Sequence, residues 1–172
     1  MPYPNTVDIG GVIPWYLAFE GNDYTNSFTG TVTALTNYLV GVTLPTYATL
    51  INMRTLVLSG GAGHIDMGVF DTSFNLLGHT GSTTTVSGLM DLALTAQLPL
   101  SPGRYFLGMW VDNATDTIHR AAPTTSVKSY GYFLSSGNTT AGGLGANAAA
   151  LGTMATSIYI PNLLATLSGG AP

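Results

Sequence analysis

The stretches HIDMGVFDTSFNLLGHTG (64–81), GLMDLALTAQLPL (88–100) and SPGRYFLGMWVDN (101–113) decide the fold. In the first, Ile65, Met67 and Val69 alternate with His64, Asp66, Gly68 and Phe70, the two-residue period of a strand. Asp71 to Asn75 then turns the chain back into Leu76 to Thr80, because Asp and Asn side chains bond their own backbone. In the second, Met90, Leu92, Leu94, Ala96, Leu98 and Leu100 oppose Asp91, Ala93, Thr95, Gln97 and Pro99. One face is therefore buried, and the other is wet or lies at a sheet edge. Ser101-Pro102-Gly103 makes the next turn. Beyond it Tyr105, Leu107, Met109 and Val111 oppose Arg104, Phe106, Gly108, Trp110 and Asp112, so both faces are largely apolar. Such a strand is central, or has its second face covered by a neighbouring subunit. These pieces make half of an antiparallel sandwich.

Outward from this block the same period recurs. From Asn37 to Leu44, Tyr38, Val40, Val42 and Leu44 share a face, with Leu39 as the exception; Met53 to Ser59 is β-rich but alternates less cleanly. Asp112 to Asp116 is rich in turn formers, followed by a short piece at Thr117 to Arg120 and a strand at Val127 to Leu134. The run SSGNTTAGGLGANAAALG (135–152) carries no charge and reads as a loop ordered by assembly. A helical turn is expected at Ala146 to Leu151 and a last strand at Thr156 to Ile160. Residues 10–20, with Trp15, Tyr16 and Phe19, read as a leading strand or an arm onto a neighbour. The expectation is a single all-β domain over 1–172: an arm or leading strand (1–30), the main sandwich (31–134), and the Gly/Ala-rich loop with the final strand (135–172).

Composition narrows the function classes. Charged residues make up 7% of the 172-residue chain, against about 25% in ordinary domains, while 45% are hydrophobic. A lone domain with so few charges has a poorly solvated surface, so much of it is expected to be buried in an assembly. The net charge is -4 and the four cations, Arg54, Arg104, Arg120 and Lys128, are scattered, which argues against nucleic-acid binding. With no cysteine there is no disulfide scaffold, thiolate zinc site or cysteine nucleophile. MPYPNTVDIGG has no basic n-region before an apolar run, so no signal peptide is expected. Nor is membrane insertion, because no apolar stretch approaches about 18 residues.

The chemistry-bearing residues are sparse. His64, His79 and His119 are the acid-base candidates, and His64 with Asp66, two apart on one strand face, could pair. Without a nucleophile in reach the bland reading of that pair prevails, and no hydrolase, metalloprotease or nucleotide-binding motif occurs. No catalytic residue, metal site or cofactor is therefore assigned. The acidic turns at 71–75 and 112–116 offer oxygens to calcium but lack EF-hand spacing. The sequons at Asn113 and Asn138 carry no weight. The best candidate for a ligand patch is Arg104, Tyr105, Trp110, Asp112 and Asn113, where aromatic faces could stack on a sugar beside polar groups. Core or interface is the competing assignment for Trp110.

Gly68-Val69-Phe70-Asp71, then Asn75-Leu76-Leu77, and later Leu100, Pro102, Gly103, Tyr105, Phe106 and Leu107 form a pattern. It resembles β-sandwich domains of tailed-phage and prophage virion proteins, with Gly108 standing where Ala is common. The same hairpin pattern occurs in carbohydrate-binding sandwiches. The resemblance implies a jelly-roll-like domain in a virion, either a tail-tip, receptor-binding or capsid-decorating element, commonly a trimer. Its expected partners are further copies of itself, other virion proteins and a host-surface glycan. The alternative is a stand-alone carbohydrate-binding module of cellular origin. A glycan-hydrolysing tail protein lacks a convincing carboxylate pair, since Asp66, Asp91 and Asp112 are separated in sequence.

Overall fold

A computed structural model describes residues 15–17, 27–31, 33–61, 63–121, 133–137, 142–151, 155–156, 160–161 and 163–169. Its strands form two antiparallel sheets. Sheet A contains β1 (Trp15–Leu17), β2 (Ser27–Thr31), β4 (Ala48–Ser59), β8 (Gly88–Leu100), β10 (Thr117–Ala121), β13 (Ile160–Pro161) and β14 (Leu164–Gly169). Sheet B contains β3 (Thr36–Leu44), β5 (His64–Phe70), β6 (Leu76–His79), β7 (Thr83–Thr84), β9 (Gly103–Val111), β11 (Phe133–Gly137) and β12 (Ala155–Thr156). A single helical turn, α1, spans Ala148–Leu151. The all-β sandwich expected from the sequence is the fold observed.

One bent ribbon joins the sheets. β3 pairs with β9 from Thr36↔Val111 to Leu44↔Gly103, and β4 with β8 from Ala48↔Leu100 to Val57↔Gly88. The two pairings form one long antiparallel ribbon that crosses from sheet B to sheet A at Pro45 to Tyr47 and at Ser101-Pro102. Proline has no N–H to donate to a ladder, so the ladder stops there and the chain turns the corner.

The inward face of the ribbon builds the main core. Val40 and Val42 of β3, Leu50, Met53 and Val57 of β4, Met67 and Val69 of β5, and Leu107 and Met109 of β9 are buried together. The opposite face of sheet B carries a second cluster, Leu39, Phe70, Phe106 and Trp110, roofed by Leu144 and Ala148. The exceptional Leu39 of the alternation thus faces a second core. β9 is central, between β3 and β5, and its outer face is covered by the Gly/Ala-rich segment of its own chain. No neighbouring subunit is needed for that purpose.

Other expectations are corrected. In β8, Leu50↔Leu98 is followed by Asn52↔Ala93, so an extra loop of β8 lies opposite Ile51. This bulge turns Ala96 out to solvent and breaks the alternation at that point. The strand placed at 127–134 is described only as β11, which runs on to Gly137 beyond the expected loop start; residues 127–132 lie outside the described residues. Of the last strand expected at 156–160, Thr156 lies in β12 of sheet B and Ile160 in β13 of sheet A, and 157–159 lie outside the described residues. β14 was not anticipated, although it pairs with β4 along Leu164↔Arg54 to Gly169↔Ala48. The N-terminal residues include β1 on β14 and β2 on β10, strands of the chain's own sheet A; most of the remainder of 1–30 lies outside the described residues.

Candidate functional site

The densest polar constellation is the clasp that fastens segment 142–151 to the outer face of sheet B. Asp66 of β5 is fully buried there, in register with Trp110 of β9, which in turn pairs with buried Asn37 of β3. A buried polar group in such a place needs hydrogen-bond partners. Leu144 N and His79 Nδ1 each donate to Asp66 Oδ2 at 2.9 Å, and Thr80 Oγ1 donates to Oδ1 at 3.2 Å. Gly143 approaches so closely that a Cβ on it would lie 2.4 Å from Asp66 Oδ2, and its φ of +135° suits glycine.

The far end of the segment is tied to the Asp71–Asn75 turn. Leu76 N donates to Ala146 O, Ala148 N to Phe74 O, and Asn147 Nδ2 to Asn75 Oδ1. Phe74, at φ +64°, holds its ring 5.2 Å from that of Phe106. Magnitudes show why so many bonds are present. Burying one leucine contributes roughly 1.5–3 kcal/mol, whereas fixing each residue's backbone costs roughly 1–2 kcal/mol. Leu144 alone cannot order the segment, so the bonds to Asp66 and to the turn are required.

The His64–Asp66 pair that the sequence allows within β5 does not form. His64 instead meets Asp112, which follows β9 on the neighbouring strand: its backbone N donates to Asp112 Oδ1 at 2.7 Å and its Nδ1 to Oδ2 at 2.8 Å. Burial alone would raise the Asp112 pKa, but the bonds from the His64 backbone and ring outweigh it and hold the carboxyl below its ordinary value. Asp66 takes His79, as described. His64 and His79 are thus each bonded to one carboxylate that also anchors backbone, an arrangement suited to positioning strands.

The five residues expected to form a ligand patch are not brought together. Trp110 is 1% exposed, inside the second core. Tyr105 points to the opposite face, against the main core, and its hydroxyl donates to Ser101 O. Arg104 is exposed with its guanidinium 5.5 Å from the Phe106 ring centre, a cation–π contact. Asp112 lies a strand length away, about 27 Å at the usual rise per residue. It is beside Asn113, whose Oδ1 accepts from the backbone N of Thr115 and Asp116.

The acidic turns spend their oxygens on hydrogen bonds within the protein, Asp71 on closing its own turn and Asp112 and Asp116 on other segments. Asp71 Oδ1 accepts from Ser73 N and Asn75 N, and Oδ2 from Asn75 Nδ2; that side-chain bond is the chief cause of a lowered Asp71 pKa. Asp116 Oδ2 accepts from Thr85 Oγ1 and Asn113 Nδ2. Among the described residues no three His, Asp or Glu side chains converge as metal ligands.

Sequence reading missed Asp66 with His79, Gly143, Leu144, Asn75 and Asn147. The available signals were an acid inside an otherwise apolar strand and the Leu144/Ala148 spacing in the uncharged run. No protein family matches the chain, and no curated protein shows significant similarity to it.

Proposed function

We propose that this chain is a non-enzymatic structural subunit of a virion, acting as a homotrimer in a capsid-decorating or a tail, receptor-binding position. The observation that carries the reading is the charge-poor composition, 7% of residues, combined with exposed Leu58, Val86 and Leu89 on the sandwich surface. Surfaces of this kind are covered when identical copies assemble. The carbohydrate-module alternative loses its main support with the burial of Trp110.

Native mass measurement at micromolar concentration tests this. Three times the 17.8 kDa chain mass is expected. A mass of one chain would overturn the assembly reading. Immunogold electron microscopy of source particles would then separate capsid from tail; absence of label from any particle would overturn the virion assignment.

A further inference from the structure

The hydroxyl of Thr80 stands between two acceptors at the same distance. Its Oγ1 lies 3.2 Å from Asp66 Oδ1 and 3.2 Å from the backbone O of Gly81, and a hydroxyl has one proton to give. The same Oγ1 accepts from Met67 N at 3.1 Å, while Thr80 N donates to Met67 O at 2.8 Å, so the end of the β5–β6 hairpin fixes where the hydroxyl sits. Buried Asp66 uses its two oxygens unequally. Oδ2 faces two N–H groups, those of Leu144 and His79, whereas Oδ1 faces the Thr80 hydroxyl. A proton on Oδ2 would stand against an N–H of segment 142–151. A proton on Oδ1 points instead at an oxygen that can accept it.

We propose that the Thr80 hydroxyl is a two-way switch, which lets the clasp hold segment 142–151 whether Asp66 is charged or protonated. With Asp66 charged, Thr80 donates to Oδ1. When Asp66 takes a proton from solvent onto Oδ1, the carboxyl donates to Thr80 and the Thr80 proton turns to Gly81 O. The hydroxyl then makes one donated and two accepted bonds, its full complement. In both arrangements Oδ2 accepts from Leu144 N and His79 Nδ1, so the segment keeps its anchor. Without the switch the neutral form would leave a buried donor unmatched, at its full desolvation cost. The surroundings of Asp66 supply no other proton acceptor among the described residues. His79 of β6 is bonded to Oδ2, β9 presents Trp110 in register, and segment 142–151 carries no charge. Two positions along β5, His64 is bonded to Asp112. The inference concerns a single chain and stands apart from its assembly.

Asparagine has the shape of a protonated aspartate and does not titrate, which makes the test independent of pH. In Asp66→Asn the amide Nδ2 takes the place of Oδ1 and donates to Thr80, leaving the amide oxygen for Leu144 N and His79. Turned the other way, its NH2 group would face the Leu144 N–H. The readout is hydrogen–deuterium exchange of the Leu144 amide in the full chain, with the amides of β9 as the control for folding. Asp66→Asn should keep Leu144 protection within about threefold of the unsubstituted protein, and Asp66→Ala should lower it by at least about tenfold. Adding Thr80→Val to Asp66→Asn removes the acceptor for Nδ2 and should lower protection by at least about tenfold, while adding Thr80→Ser, which keeps the hydroxyl, should not. Thr80→Val alone removes the same Met67 bond but leaves Oδ2 its two donors, and should lower protection by less. Loss of protection or of folding in Asp66→Asn as severe as in Asp66→Ala overturns the proposal. So does an equal effect of Thr80→Val with aspartate and with asparagine at position 66, or a loss with Thr80→Ser as large as with Thr80→Val.

Discussion

Two glycines show how single atoms set this fold. Gly108 lies under the Phe70 ring, where a Cβ would come within 2.4 Å of Phe70 Cε2. Gly108→Ala should therefore destabilise by about 2–3 kcal/mol through overpacking, measured by denaturant unfolding. Gly143→Ala meets both a positive φ and the Asp66 carboxylate, and a loss of about 2–3 kcal/mol is expected. Asp66→Ala leaves Leu144 N and His79 without their acceptor and should cost about the same, with Asp66→Asn milder because one acceptor oxygen survives. Thr55 gives the opposite sign. Its hydroxyl is buried without a hydrogen-bond partner, so Thr55→Val should leave stability unchanged or raise it by about 1 kcal/mol.

Among the elements, β5, β8 and β9 were legible because local pattern and burial agree: one face of each enters the main core. What escaped the sequence depended on distant partners. The β8 bulge is set by its approach to β6, which no local period encodes. β14 is short, and the alternation of Ala165 and Leu167 with Leu163 just before it gains meaning only beside β4. For the site, the turn chemistry at 71–75 and 112–116 could be read, whereas the Asp66 clasp joins residues 78 positions apart. Charge pairing between elements predicts acid sensitivity. The bond from Arg54 of β4 holds Asp91 of β8 below its ordinary value of 3.8, and Asp71 and Asp112 are lowered too. Carboxyls with depressed folded pKa values contribute stability that is complete above 3.8 and is lost as pH falls through it toward the folded values. Denaturation midpoints should be level between about pH 5 and 7 and drop near pH 3. Asp91→Asn should flatten part of that drop.

At the scale of the whole molecule, sheet B separates two cores of unequal independence. The main core is enclosed by both sheets and draws on nearly every long strand, while the second is closed by one segment of the same chain. Doubled hydrophobicity of β9 therefore has a cause within the chain, and the assembly proposed above rests on the charge-poor composition and on exposed Leu58, Val86 and Leu89. The asymmetry makes the last prediction. Replacing residues 142–151 by a short Gly-Ser linker removes the roof over Trp110, Phe70 and Phe106 without touching the ribbon of β3, β4, β8 and β9. In a Trp15→Phe background, the remaining tryptophan, Trp110, should emit at longer wavelength, and an apolar dye should bind the uncovered aromatic face. The far-ultraviolet β signature should persist with a lowered melting temperature. Complete loss of that signature would mean that the segment is part of one cooperative unit with the main core, and that Asp66 holds the whole sandwich together through it.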